Sequence, residues 1–421
     1  MGASNLGFFG VLSTEYGSLG ENYMLKRFRV NNFKSLLNFE FRPVGLNLLI
    51  GQNNAGKTNL CCALRFLVLS SITSIENAIL NAVGETWNLT NVHVAGNSEI
   101  ELEVDCSLSY NKEPLDFSYR LSLLAQRDIT GGREALKVTE ETLTITGGPF
   151  QGTPVLKNNG HQAQMLHEEG FVQKRPGSPF YVDTLSPDDA TMLSRLYELK
   201  DNPRASLFKR YLRTWLYYSF SPEALRSPDV QRDYPFLRHD GANLSRTMYA
   251  LHNEDPRLER RIIDRLKRIE PNVDLFSYKL PDPEHVYMFL EDNKNHRFGA
   301  RSISDGTLRF LAMICLITMS ERSRGSGIEP LVMIEEPENG LYVGHLKPLL
   351  EEIDPSGAGG QFIFTSHNPY FIDLFDNDLD GLYLIKSGKP SSVLVKPDPG
   401  KVRSLLDQMP LGEMHYREML G

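Results

Sequence analysis

The chain has 421 residues, 41% of them hydrophobic and 23% charged, with a formal net charge of -8. That balance excludes wholesale disorder and fibrous architecture, and the length calls for roughly two or three structural units. An acidic total also argues against a uniformly basic nucleic-acid coat, while leaving room for a local basic patch.

Residues 1–23 are rich in Gly, Ser and Asn and read as a flexible N-terminal tail. They have no basic region of a secretory signal, and Leu6 stands where myristoylation needs Ser or Thr. The longest apolar stretch, Phe310–Met319, is about half the length of a bilayer span, so no membrane segment and a cytoplasmic location are expected. Cys61, Cys62, Cys106 and Cys315 show no metal-ligand spacing, and a bridge between adjacent Cys61 and Cys62 would be strained. Reduced thiols are expected.

Clear alternation begins at Met24 with LKRFRVNNFKSLLNFEF. The run LNLLI from Leu46 is apolar throughout and meets a Gly-rich turn, as a strand buried on both faces would. Comparable runs recur at Leu331–Ile334, Phe362–Thr365 and Leu382–Ile385. One parallel sheet is expected from the four, covered by helices at Asn59–Ser70, Leu308–Arg322 and Leu341–Ile353. Between Glu99 and Ile145 apolar and polar residues alternate, with Asn-Lys and Gly-Gly turn signals, which predicts an antiparallel meander. Residues 146–190 lack periodicity and suggest an exposed arm or lid; from about 186 to 270 the pattern is helical. The helix at Pro256–Glu270 puts Arg257, Arg260, Arg261, Arg265, Lys267 and Arg268 opposite its apolar face, either as a solvated surface or as a phosphate-backbone contact. The expected division is a 24–91 plus 300–421 core, a 92–150 β lobe, and a 151–299 segment of loop, arm and helices.

GQNNAGKT, Gly51–Thr58, fits G-x-x-x-x-G-K-[ST] between a predicted strand and a predicted helix. Small residues at Gly51, Ala55 and Gly56 let backbone amides converge on phosphate at the positive end of the helix. Lys57 would neutralise the outer phosphates and the Thr58 hydroxyl would ligate magnesium. The strand at Leu331–Ile334 delivers Glu335 and Glu336 to the carboxyl edge of the sheet, where nucleotides bind in open α/β folds. Glu335 would hold the Mg2+ shell and Glu336 would polarise the attacking water. A long segment separates Lys57 from Glu335, so a large insertion splits the nucleotide fold. Ser304 and Asp305 are good N-caps, and Gly306 permits close approach ahead of an apolar helix: a second anion-binding helix start. His367 follows the next strand, either as a structural side chain or as a group that bonds a γ-phosphate or orients the water.

GQNNAGKT, ISDGT, LVMIEEPENGL and TSHNP, in this order, resemble the Walker A, signature, Walker B plus D-loop, and switch-histidine motifs of ATP-binding-cassette (ABC) ATPases. FRVNNFKSL and LRHDGANLSRTMYAL narrow the resemblance to the RecF-like and SMC-like branch, and within it to bacterial AAA-type ATPases of the overcoming-lysogenization-defect and anti-phage defence kind. The resemblance implies an α/β P-loop NTPase fold of ABC type, its central, largely parallel sheet flanked by helices. An antiparallel β meander and a helical lobe are inserted between Walker A and signature. It implies ATP and Mg2+ as cofactors, with Gly51, Gln52, Asn53, Asn54, Ala55, Gly56, Lys57, Thr58 and Asn59 binding nucleotide and Thr58 and Glu335 the metal. Glu336 and His367 are the implied catalytic residues. Ser304, Asp305 and Gly306 would act in trans on the ATP of a second subunit, in a homodimer or higher homo-oligomer. The D-loop would run from Asn339 to Leu341. Nucleic acid and a separate nuclease or toxin effector are the candidate partners. No fused Toprim-type nuclease of the kind that longer relatives carry is expected in the segment after His367. Asp305 stands where transporter cassettes have Gly, Tyr342 and Val343 stand where many relatives have His-Pro, and no glutamine, Gln126 included, is assignable to a Q-loop.

Overall fold

The computed structural model describes residues 25–94, 96–127, 134–172, 181–185, 189–196, 202–227, 237–282, 284–321, 328–353 and 360–420. The expected N-terminal tail and the Gly-Gly turn lie outside them. The four apolar runs do form one parallel sheet. In spatial order its strands are β10 (Trp215–Tyr218), β14 (Leu331–Glu335), β15 (Gln361–Ser366), β3 (Leu46–Ile50), β16 (Leu382–Lys386) and β17 (Val393–Val395). All pair in parallel except the β16–β17 edge. Every residue of β3 and β15 is buried, because each face of the sheet carries its own core. One core joins the sheet to helix α1 (Lys57–Ser70). The other joins it to α2 (Leu244–Glu254), α3 (Pro256–Leu266) and α4 (Asp305–Glu321).

A second, antiparallel sheet of eight strands runs β2 (Phe39–Phe41), β1 (Leu25–Asn31), β4 (Ser98–Tyr110), β5 (Glu113–Arg127), β6 (Glu134–Thr146), β7 (Thr153–Asn158), β8 (Gln162–Leu166), β9 (Tyr181–Leu185). The expected meander is therefore present, its first turn made by Asn111 and Lys112, both at positive φ. Two sequence expectations change here. The boundary at 91 cuts through this sheet, since β1 pairs with β4; the half-buried alternation of LKRFRVN belongs to a strand covered on one face only. Within the expected arm, β7, β8 and β9 extend the same sheet, in strands too short to show a period. The expected helical region also contributes β10, and a third sheet of β11 (Val273–Lys279), β12 (Tyr287–Asp292) and β13 (Arg297–Gly299) follows it. The helix expected at Leu341–Ile353 is a 3-10 turn, Val343–His345, then a short helix at Leu346–Leu350. Pro348 is tolerated only in a first turn, which delays the helix start.

Gln361 ties the two large sheets together, accepting from Leu25 N at 2.8 Å and donating to Leu25 O at 3.2 Å. Glu141, fully buried on β6, accepts from Met192 N at 2.6 Å, Leu193 N at 2.9 Å and Tyr119 Oη at 2.9 Å. Glu141→Ala would strand all three donors and is expected to cost about 3 kcal/mol, read as a lower thermal midpoint. An unchanged midpoint would mean that the donors find other acceptors. Cys61, Cys106 and Cys315 are buried free thiols and Cys62 is half-buried. Among the described residues no helix is long and apolar enough to cross a membrane.

Candidate functional site

The turn between β3 and α1 is shaped by Gly56, the N-cap residue of α1, whose φ of 110° only glycine adopts freely. Among the described residues no side chain caps this helix, which leaves its first amides open to an anion. A Cβ on Gly56 would also lie 2.5 Å from Ser392 Oγ and 2.9 Å from Ser35 Oγ. Those two serines hydrogen-bond each other at 2.7 Å, and Asn59 donates to Ser35 at 2.8 Å. Lys57 is only 7% exposed. Its Nζ donates to Gly51 O at 2.6 Å and Gln52 O at 3.1 Å, so the ammonium is held within the loop that would receive phosphate. Burial lowers the Lys57 pKa, and Glu336, Glu335 and Glu338 push it back up.

Across from the loop, Glu335 closes β14. Tyr217, from the neighbouring β10, donates to Glu335 Oε2 at 2.8 Å, and burial next to that carboxylate raises the phenol pKa. Glu335 Oε1 is buried with no hydrogen-bond partner among the described residues. That orphaned oxygen and the exposed Thr58 hydroxyl are hard donors suited to Mg2+. Among the described residues no group of three His, Cys, Asp or Glu could hold a metal alone, so a cation held by Thr58 and Glu335 would need further oxygen ligands from outside these side chains.

Glu336 has a φ of 43°, a left-handed conformation that costs a non-glycine residue about 1–3 kcal/mol. Its N–H donates to Thr365 O at 3.0 Å. Its carboxylate is oriented from two sides, with Asn339 Nδ2 donating to Oε2 at 2.6 Å and His367 Nδ1 lying 3.1 Å from Oε1. Below it Glu338 is buried, accepts from Ser366 Oγ, and has its pKa raised by burial.

Residues Asn53–Asn59, Glu335, Glu336, Asn339 and Thr365 line one open cavity of about 620 Å³, completed by Ser219, Phe220 and Arg309. Gly51, Gln52 and His367 line an adjoining cavity with the C-terminal segment, where Gln52 Nε2 donates to Glu418 Oε1 at 3.2 Å. His367 thus meets the first cavity through Glu336. Ser304, Asp305 and Gly306 do not line it. Ser304 Oγ caps α4, accepting from Thr307 N at 3.0 Å, and Thr307 donates to Glu270 Oε1 at 2.7 Å. Asp305 is paired with Arg226 at 2.5 Å, which offsets the carboxylate expected near a phosphate. A Cβ on Gly306 would come 2.8 Å from Gly340 O, so glycine is needed where the start of α4 meets the turn after Asn339.

Sequence reasoning missed Ser35, Tyr217, Ser219, Arg309, Glu338 and Ser392. Only Glu338, inside EEPENG, and Arg309, the sole basic residue of an apolar helix, carried a readable signal. The basic face of α3 is largely neutralised, with Arg260, Arg261, Arg265, Lys267 and Arg268 all in ion pairs with carboxylates.

A family model described as "AAA domain, putative AbiEii toxin, Type IV TA system" matches residues 168–373, a span holding Ser304, Glu335, Glu336 and His367. An ATP/GTP phosphatase of Helicobacter pylori is 21% identical over 374 residues, covering 84% of this chain and 88% of that protein. Among solved structures, an SMC head bound to the C-winged helix domain of ScpA superposes with a TM-score of 0.51 at 11% identity, covering 90% of this chain and 99% of that one. The SMC head domain from Thermotoga maritima gives 0.43 at 12%, covering 89% and 99%. The chain thus has the fold of an SMC head, an ABC-type P-loop fold, and the AAA-domain match and the ATP/GTP phosphatase relative support ATPase activity.

Proposed function

We propose that the protein is an ATP-driven switch in which two ATP molecules are sandwiched between the P-loop of one subunit and the signature residues of another. The P-loop, Gly51–Thr58 with Asn59, cradles the phosphates and Lys57 neutralises the outer ones. Thr58 and Glu335 hold Mg2+, which when bound offsets charge on the phosphate oxygens. Glu336 takes the proton of the attacking water, while Asn339 and His367 keep its carboxylate in place. Ser304 and Gly306 of the second subunit close over the γ-phosphate, and the Arg226 pair keeps Asp305 from repelling it.

The observation that carries this reading is a division: Lys57, Thr58, Glu335 and Glu336 share one cavity, whereas Ser304, Asp305 and Gly306 lie outside it at an exposed helix start. A second chain is the natural source of the missing donors. The switch acts in the cytoplasm, in anti-phage defence or another DNA-related process, with a separate nuclease or toxin as effector; the family description, which names a putative toxin and a type IV TA system, supports a toxin-linked role and no more. Direct DNA binding by a RecF-like mechanism is the alternative, and the ion pairs along α3 weaken it for that face.

Ser304→Arg tests the shared site. Turnover is expected to fall at least about a hundredfold while the isolated chain binds ATP as before, and light scattering with Mg-ATP should show the wild type doubling in mass and the variant unchanged. Turnover at the wild-type rate would place the whole site in one chain.

A further inference from the structure

We propose that Arg309 is a γ-phosphate ligand in its own chain, and that it couples the occupied site to the signature end of the same helix. This rests on the nucleotide site proposed above and adds to it a residue acting in cis.

Arg309 is the only basic residue of α4, set between Leu308 and Phe310, both fully buried. It lines the P-loop cavity together with Glu336 and Asn339, beside Gly340, the residue after Asn339. Its Nε is buried with no hydrogen-bond partner among the described residues. Two carboxylates act on it through space without an ion pair to it among the described residues: Asp305, which pairs with Arg226, and Glu223, which accepts from Ser221 at 2.8 Å. A partly desolvated guanidinium without a bonded anion is costly, and the anion chemistry that fits this cavity is a terminal phosphate. Burial lowers its pKa and Asp305 and Glu223 push it back up; an arginine side chain stays a cation in proteins.

The coupling follows from packing. A Cβ on Gly340 would sit 3.6 Å from Arg309 Cδ and Nε, and a Cβ on Gly306 would sit 2.8 Å from Gly340 O. The turn after Asn339 therefore meets the signature glycine closely and lies beside Arg309 with room for a methyl group between them, while Arg309 stands on the signature helix itself, one turn after Gly306. A shift of the guanidinium toward phosphate moves the helix start that serves the other subunit.

The test is titration of the full-length chain with ATP and with ADP, in Mg2+, for wild type, Arg309→Met and Arg309→Lys, followed by light scattering at saturating ATP. Arg309→Met is expected to lose about tenfold to a hundredfold in ATP affinity with ADP affinity unchanged. Arg309→Lys should recover part of the loss, and ATP-saturated Arg309→Met should not dimerise. Wild-type ATP affinity in Arg309→Met, or equal losses for ATP and ADP, would overturn the γ-phosphate contact; normal dimerisation of the saturated variant would overturn the coupling. Lys57→Ala separates the two readings. If it binds ATP like wild type, the nucleotide site itself is wrong; if it does not, a null result at Arg309 counts against this inference alone.

Discussion

Glu336→Gln should bind ATP with wild-type affinity and hydrolyse it about a hundredfold to ten-thousandfold more slowly. The substitution changes little except basicity. The amide keeps an oxygen to accept from Asn339, leaves the left-handed backbone that Thr365 anchors, and matches the carboxylate in volume. What it loses is a site for the proton of the attacking water. With turnover blocked, the closed assembly should accumulate, so light scattering in Mg-ATP should report a stable dimer and single-turnover kinetics should show no phosphate burst. Undiminished hydrolysis would move the base elsewhere, and His367, 3.1 Å from the Glu336 carboxylate, is the next group able to act.

The parts of this site that were legible in the sequence are local. A P-loop is written in eight consecutive residues, and strands such as LNLLI betray burial on both faces by having no polar side. Glu335, Glu336 and His367 were legible for the same reason, each standing at the end of an apolar strand. What stayed hidden depends on distant pairing. Tyr217 reaches Glu335 across 118 positions, and Ser392 reaches Ser35 across 357; neither residue has a neighbour in sequence that announces it. β10 was hidden because four residues are too few to show a period beside helices. The boundary at 91 parts β1 from β4, its partner 70 or more positions on, because strand pairing over that distance leaves no local mark, although the apolar–polar alternation of LKRFRVN fits a sheet covered on one face.

Lys57→Ala is expected to weaken ATP binding about a hundredfold, the scale of losing a charge-assisted phosphate contact near 3 kcal/mol. The side chain is spent on the loop's own carbonyls before nucleotide arrives, which places its ammonium at the floor of the cavity at little entropic cost on binding. It is also a cation that interacts with Glu336, Glu335 and Glu338, so its removal leaves those carboxylates less compensated and makes the cavity more repulsive to phosphate. Lys57→Arg should fail nearly as badly, because a planar fork does not fit a position 7% exposed between two carbonyls. Calorimetric titration of both variants, with thermal unfolding to establish that each is folded, is the measurement. The sign of the pH effect provides a second readout: burial depresses the Lys57 pKa in the free protein and an arriving polyphosphate raises it, so binding takes up protons and wild-type affinity should tighten as pH falls from the alkaline side. Lys57→Ala should lose that slope along with the affinity, whereas retained affinity with an unchanged slope would remove Lys57 from the phosphate site.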